Sequence, residues 1–111
     1  MDTELSKLKV KQAIKHIDLV IQDVENVTLE EFKEFDLLCR ADAFSIAQIG
    51  ERLKRLQDFF GQDHPEIPWY KANAMRNIIV HEYQNVDFEA VYYTAKNDLP
   101  PLKQQLEQLL D

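Results

Sequence analysis

Apolar residues recur at Val10, Ile14, Ile17, Ile21 and Val24, at intervals of four, three, four and three. That spacing marks one face of an amphipathic helix over roughly the first 25 residues, with Lys and Asp on the other face. The tetrapeptide TLEE follows, and it reads as a capping box: the Thr28 hydroxyl accepts from the Glu31 amide while the Glu31 carboxylate reaches back. Beyond it Phe35, Cys39, Ala43, Ile46, Ile49, Leu53, Leu56 and Phe60 repeat at three and four, predicting a second helical region up to Phe60. A short turn around Leu29–Phe32 is expected to interrupt this region near EFD, where Asp36 is placed to cap a fresh start. Gly61 is expected to close the region in the left-handed conformation.

GQDHPEIP is a loop by its two prolines, and Pro68 is predicted in the first turn of the next helix. That helix carries Trp69, Ala72, Met75 and Ile79 as its inward stripe, yet Ile78 and Val80 are apolar as well. A helix apolar on several sides is covered by more than one neighbour, which predicts a second subunit there. Reading NIIV as a strand fails for want of a partner strand. Asp87 caps a last helix through Phe88, Val91, Ala95, Leu99, Leu102, Leu106 and Leu109. Pro100 and Pro101 should kink or divide it, with Asn97 and Asp98 capping the second piece. The expected fold is therefore all-α, an up-and-down bundle of four to five helices in a single domain over residues 1–111.

Composition supports a helical domain that needs no staple: 111 residues hold only two glycines, four prolines and one cysteine. Cys39 has no disulfide partner, and its neighbours Leu37 and Leu38 suggest a buried, inert thiol. The formal net charge is -7, from 20 acidic and 13 basic side chains, which argues against bulk nucleic-acid binding. Two local basic clusters, Lys7, Lys9, Lys11 and Lys15, then Arg52, Lys54 and Arg55, read first as solvated faces that leave room for a short RNA contact. With no signal core and no membrane-length apolar run, a soluble cytoplasmic protein is expected.

Much chemistry is missing. His16, His64 and His81 are scattered, and HEYQN lacks the second histidine of a zinc helix, so neither a metal nor another cofactor is expected. Two glycines cannot build a phosphate loop or a dinucleotide fingerprint. The acidic residues follow helical faces and read as solvated, except Glu51, which lies beside Gly50 on a largely apolar stretch.

One stretch stands apart. ANAMRNIIVHEYQNVD places Arg76, Asn77, His81 and Tyr83 inside an apolar pattern, where an unpaired polar group costs several kcal/mol. On an ideal helix Arg76 and His81 lie about 7.5 Å and about 140° apart, Arg76 and Tyr83 differ by about 20°, and Asn77 and His81 form an i, i+4 pair. Such a group suits phosphodiester transfer in RNA: His81 exchanges the protons, Arg76 holds the phosphate, and Asn77 orients the imidazole. A histidine satisfied in an interface is the structural alternative at the same spacing.

The sequence resembles the HepT family of the HEPN superfamily, most densely in IGERLKRL, HPEIPWYKANAMRNIIVHEY, NVDFEAV and KNDLPPLKQQL. The family signature, an arginine, four residues, a histidine, one residue and a tyrosine, is matched by Arg76, His81 and Tyr83. The resemblance implies a HEPN-like bundle that forms a homodimer, with Arg76 and His81 of two subunits lining a shared cleft. It further implies a metal-independent RNA-cleaving toxin, paired with an MntA-type nucleotidyltransferase antitoxin that attaches AMP to Tyr83. The QN after Tyr83 departs from the aromatic residue or glycine expected there. A rival from another class is a non-catalytic subunit that binds nucleotide or substrate for a separate nucleotidyltransferase, with Arg76 as phosphate clamp; a plain dimeric scaffold is the third.

Overall fold

A computed structural model of the chain describes residues 3–78 and 86–111. The elements are α1 (Thr3–Val24), α2 (Leu29–Glu34), α3 (Asp36–Phe60), α4 (Lys71–Arg76), α5 (Phe88–Tyr93) and α6 (Leu99–Gln108). A π-helical turn over Thr94–Asp98 joins α5 to α6, and no strand occurs among the described residues. The fold is an all-α bundle, as the apolar spacing predicts.

The long helices α1 and α3 form the centre. Gln12 meets Arg52 at one end and Asp23 meets Asp42 at the other, so the two run antiparallel. Val10, Ala13, Ile17, Val20 and Val24 of α1 face Cys39, Ala43, Ile46, Ile49, Leu53 and Leu56 of α3, all essentially buried. Ile14 and Ile21 flank this stripe. Burial of an aliphatic side chain contributes about 1.5–3 kcal/mol, so this seam is a main source of stability. Leu99, Leu102 and Leu106 of α6 complete the core, and Lys103 reaches Asp18 of α1 at 2.7 Å.

The capping box forms as expected, with the Glu31 amide donating to Thr28 Oγ1 at 3.2 Å and the Thr28 amide to Glu31 Oε1 at 3.0 Å. Asp36 does not cap α3. The break falls on Phe35, whose own backbone turns the chain, and Asp36 already lies in the first helical turn, paired with Arg40 at 2.7 Å. Phe35 is accordingly 60% exposed and outside the core stripe. Gly61 also departs from expectation, adopting the right-handed conformation with its amide on the Gln57 carbonyl. Winding continues to His64, where Pro65 stops it by lacking a donor.

Pro68 lies ahead of α4 rather than in its first turn: the Pro68 and Trp69 carbonyls accept from the Lys71 and Ala72 amides, each at 3.0 Å. Asp87 caps α5 by accepting from the Ala90 amide at 3.1 Å. The two prolines act differently from a cap. The Leu99 amide reaches back five residues to Thr94, and this wider turn accommodates rings that would strike the carbonyls of a regular helix. Asp98 makes no cap bond and instead pairs with Lys71 of α4 at 3.2 Å, tying the start of α4 to the start of the last helix.

Candidate functional site

The site begins where α4 crosses α3. Gly50 faces α4 so closely that a Cβ there would stand 2.7 Å from the Ala72 carbonyl oxygen, 2.7 Å from the Arg76 amide nitrogen and 2.9 Å from Arg76 Cγ. Only glycine permits this approach without a shift, because two of the three atoms are backbone. Ala72 and Met75 pack α4 down onto the core, and Trp69, anchored by its indole N–H on the His64 carbonyl at 2.9 Å, fixes the incoming chain.

Close approach sets the register of the neighbouring residues. Glu51, next to Gly50, accepts a hydrogen bond from Arg76 Nε at 2.5 Å. Both side chains remain partly exposed, Arg76 at 34% and Glu51 at 40%. An ion pair this open contributes on the order of 0.2–1 kcal/mol to stability. Its larger effect is orientation: with Nε tied to Glu51, the plane of the guanidinium is set, and its terminal nitrogens have no hydrogen-bond partner among the described residues.

The helix closes just after Arg76. Asn77 has left helical geometry, its amide donates to the Asn73 and Met75 carbonyls, and its side chain is exposed. Ile78 is half-buried against the core. The ideal-helix offsets from Arg76 to His81 and Tyr83 therefore do not carry through Asn77 and Ile78. The positions of Ile79, Val80, His81 and Tyr83 lie outside the described residues. Arg76, Glu51 and Asn77 are thus the site residues that the described structure places, and Arg76 and Glu51 are brought into contact across 25 positions of sequence.

Residues 10–109 match the family model described as "Ribonuclease HepT-like". The chain belongs to this HepT-like family. Among curated relatives, a "Probable ribonuclease HepT" of Thermococcus cleftensis is 35% identical, over 89% of this chain and 94% of that protein. A "Putative RNase" of Caldanaerobacter subterraneus subsp. tengcongensis is 28% identical, over 91% and 90%. Another, from Methanocaldococcus jannaschii, is 28% identical over 87% and 80%. No solved structure gives a significant match.

Two features of this HepT-like chain escape a spacing-based reading. Gly50 is one; a glycine inside a long helix forgoes about 1 kcal/mol relative to alanine, which is a usable sign of close approach. Asp42 is the other, and it corrects the view that the acidic residues outside Glu51 are solvated. It is 2% exposed in the α1/α3 seam, with Oδ2 lacking a partner among the described residues. Burial, then the hydrogen bond and charge of Asp23, push its carboxyl up to about 8, so it is largely protonated at neutral pH. Cys39 is buried as expected. Desolvation, followed by the charges of Asp42 and Asp36, raises its thiol to about 12 and keeps it unreactive. Among the described residues, no three His, Cys, Asp or Glu side chains are grouped to hold a metal ion, and no helix is long and apolar enough to cross a membrane.

Proposed function

We propose that the protein is a metal-independent endoribonuclease toxin whose Arg76 and His81 act on one RNA phosphodiester. The observation that carries this reading is the Arg76 guanidinium, tied by Nε to Glu51 above the Gly50 contact, at the threshold of the segment bearing His81 and Tyr83. The names of the HepT-like relatives support the ribonuclease part of this reading. In the proposed step His81 takes the proton of the 2′-hydroxyl as its oxygen attacks phosphorus. The bond from phosphorus to the 5′-oxygen breaks, that oxygen takes a proton from a water molecule, His81 returns its proton to the solvent, and a 2′,3′-cyclic phosphate is left. Arg76 offsets the charge that grows on the phosphoryl oxygens. Asn77, exposed beside Arg76, orients the imidazole.

A homodimer completes the proposed cleft. Leu37, Ala41, Phe44 and Gln48 are spaced four, three and four along α3, and Leu37 and Phe44 are 77% and 59% exposed. This face leads directly to Glu51, three residues further on, so a second copy covering it would bring its own Arg76 and His81 close. The controlling partner is an MntA-type nucleotidyltransferase antitoxin that attaches AMP to Tyr83, adding a negative phosphodiester that competes with RNA for Arg76.

The test is cleavage of RNA by the purified chain in excess chelator. His81→Ala is expected to lower the rate about 10²-fold or more with an unchanged circular dichroism spectrum. Wild-type rates from His81→Ala, or loss of all wild-type activity on chelation, would refute the mechanism. Tyr83→Phe should still cut RNA while gaining no AMP-sized mass increment from the partner enzyme and ATP. An increment persisting on Tyr83→Phe would exclude that tyrosine as the switch.

A further inference from the structure

The 13 basic side chains of this acidic protein fall into distinct groups. Lys33, Arg40, Lys71, Arg76 and Lys103 each have a carboxylate oxygen at 2.5–3.2 Å. Lys96 donates to the Glu25 carbonyl. Lys7, Lys9, Lys11, Lys15, Arg52, Lys54 and Arg55 have no carboxylate partner among the described residues, in a chain with 20 carboxylates to offer. All seven gather at one end of the antiparallel α1/α3 pair, the end fixed by Arg52 Nη1 on Gln12 Oε1 at 3.3 Å.

Within that end, Lys9, Arg52, Arg55 and Leu56 line a recess of about 10 Å³, room for one water or one phosphate oxygen. Arg52 Nε is buried and has no acceptor among the described residues, an arrangement that costs free energy unless something binds. The local potential is positive enough to act on His16, which is held below its ordinary value by burial and then by the charges of Arg52 and Lys15. Arg55 lies one helical turn from Glu51, about 6 Å along the axis, and Phe59 lies one turn beyond it, half-buried.

We propose that the α1/α3 seam of Lys9, Arg52 and Arg55, with Phe59 at its far end, binds the backbone of an RNA strand continuing from the phosphate at Arg76. The inference rests on the ribonuclease reading and assigns the part of the protein that holds the substrate away from the reacting bond. The cations supply sequence-independent attraction, and the ring offers a face for a base. Continuity with Arg76 favours RNA over a membrane surface, for which a separate patch would serve as well.

The experiment measures binding of a fluorescent single-stranded RNA to the full chain carrying His81→Ala, by anisotropy over a salt series. Adding Lys9→Gln and Arg55→Gln should weaken binding about tenfold or more at low salt and flatten the log–log salt slope by about 1.4, at about 0.7 per lost contact. Adding Lys96→Gln and Lys103→Gln instead removes the same charge elsewhere, and affinity should stay within about twofold. Equal losses from both pairs, or no loss from the first, would overturn the proposal. So would loss of binding to phosphatidylserine vesicles with RNA binding retained. Failure of the ribonuclease reading is separate, since it appears as absence of cleavage by the wild-type chain while this variant still binds RNA through the seam.

Discussion

Replacing Gly50 with alanine tests the geometry on which the candidate site depends. The new Cβ would sit 2.7 Å from both the Ala72 oxygen and the Arg76 nitrogen, against the 3.4 Å at which ordinary contact begins. Relief therefore requires α4 to move by about 0.7 Å, the difference between those distances. No rotamer change can supply it, because both atoms are backbone. Two effects oppose each other. Alanine gains about 0.5–1 kcal/mol over glycine inside a helix, whereas overpacking costs about 1–3 kcal/mol. The clash wins, and a net loss of about 1–2 kcal/mol lowers Tm by roughly 5–10 °C in a domain of this size. The same displacement loosens the Arg76–Glu51 bond, and misplacing a phosphate-holding group on this scale is expected to reduce kcat about tenfold or more. Thermal unfolding and RNA cleavage on the same samples read both effects. A Gly50→Ala protein that melts at or above the wild-type temperature and cuts RNA at the wild-type rate would refute the close crossing as the determinant of Arg76.

Two further substitutions test the charged groups. Folded chain holds the Asp42 proton up to about pH 8, while unfolded chain releases it near the ordinary 3.8, so its stabilising contribution is complete below about pH 4 and lost as pH rises to 8. Asp42→Asn keeps a donor toward Asp23 without needing the proton; it should abolish this slope and be more stable than wild type at pH 8 by a few kcal/mol, and lower stability there by urea unfolding would contradict the assignment. Glu51→Gln retains an acceptor for Arg76 Nε but removes the charge that competes with phosphate, so KM for RNA should fall several-fold, whereas Glu51→Ala should lower kcat by freeing the guanidinium. A raised KM in Glu51→Gln would show that the carboxylate does not compete with RNA.

The helices were legible because burial against one core imposes the three-and-four spacing directly. Val10 to Val24, Cys39 to Leu56 and Val91 to Leu109 all place their apolar stripes inward. Departures from that spacing occur where a different force decides. Phe35 continues the spacing of α3 but lies at the break, which spacing cannot see. Asp42 lies three residues after Cys39 and four before Ile46, squarely on the buried stripe, yet a carboxyl is tolerated there because Asp23 from another helix shares its proton. The turn of Thr94–Asp98 arises because two prolines widen a helix that packing holds together, where capping rules alone predict a division. The Arg76–Glu51 contact joins positions on different helices, and no local pattern contains it.

Charge offers the clearest case of composition misdirecting function. A net charge of -7 opposes RNA binding only if the charge is evenly spread, and here it is not. Leu37 and Arg55 are 18 residues apart on α3, five full turns, so they lie on one line of the helix surface. Along that line the exposed character changes from apolar at Leu37 and Phe44, through Glu51 with Arg76, to basic at Arg55. Each zone suits a different requirement of the proposed enzyme: a surface for a second copy, a place for the scissile phosphate, and a hold on the strand beyond it. One acidic group, Glu30, Glu31, Glu34, Asp87 and Glu89, lies toward the α2 and α5 end, whereas Glu4 of α1 and Asp58 of α3 share the end that carries the seven cations. An RNA strand laid toward the basic end gains attraction over a few contacts, because seven cations there outnumber Glu4 and Asp58 on the same two helix segments. The α2 and α5 acidic group lies more than a Debye length away along a helix of about 37 Å. Local segregation therefore reconciles an acidic chain with a polyanionic substrate, and it makes the salt dependence of binding follow the seam residues rather than the net charge.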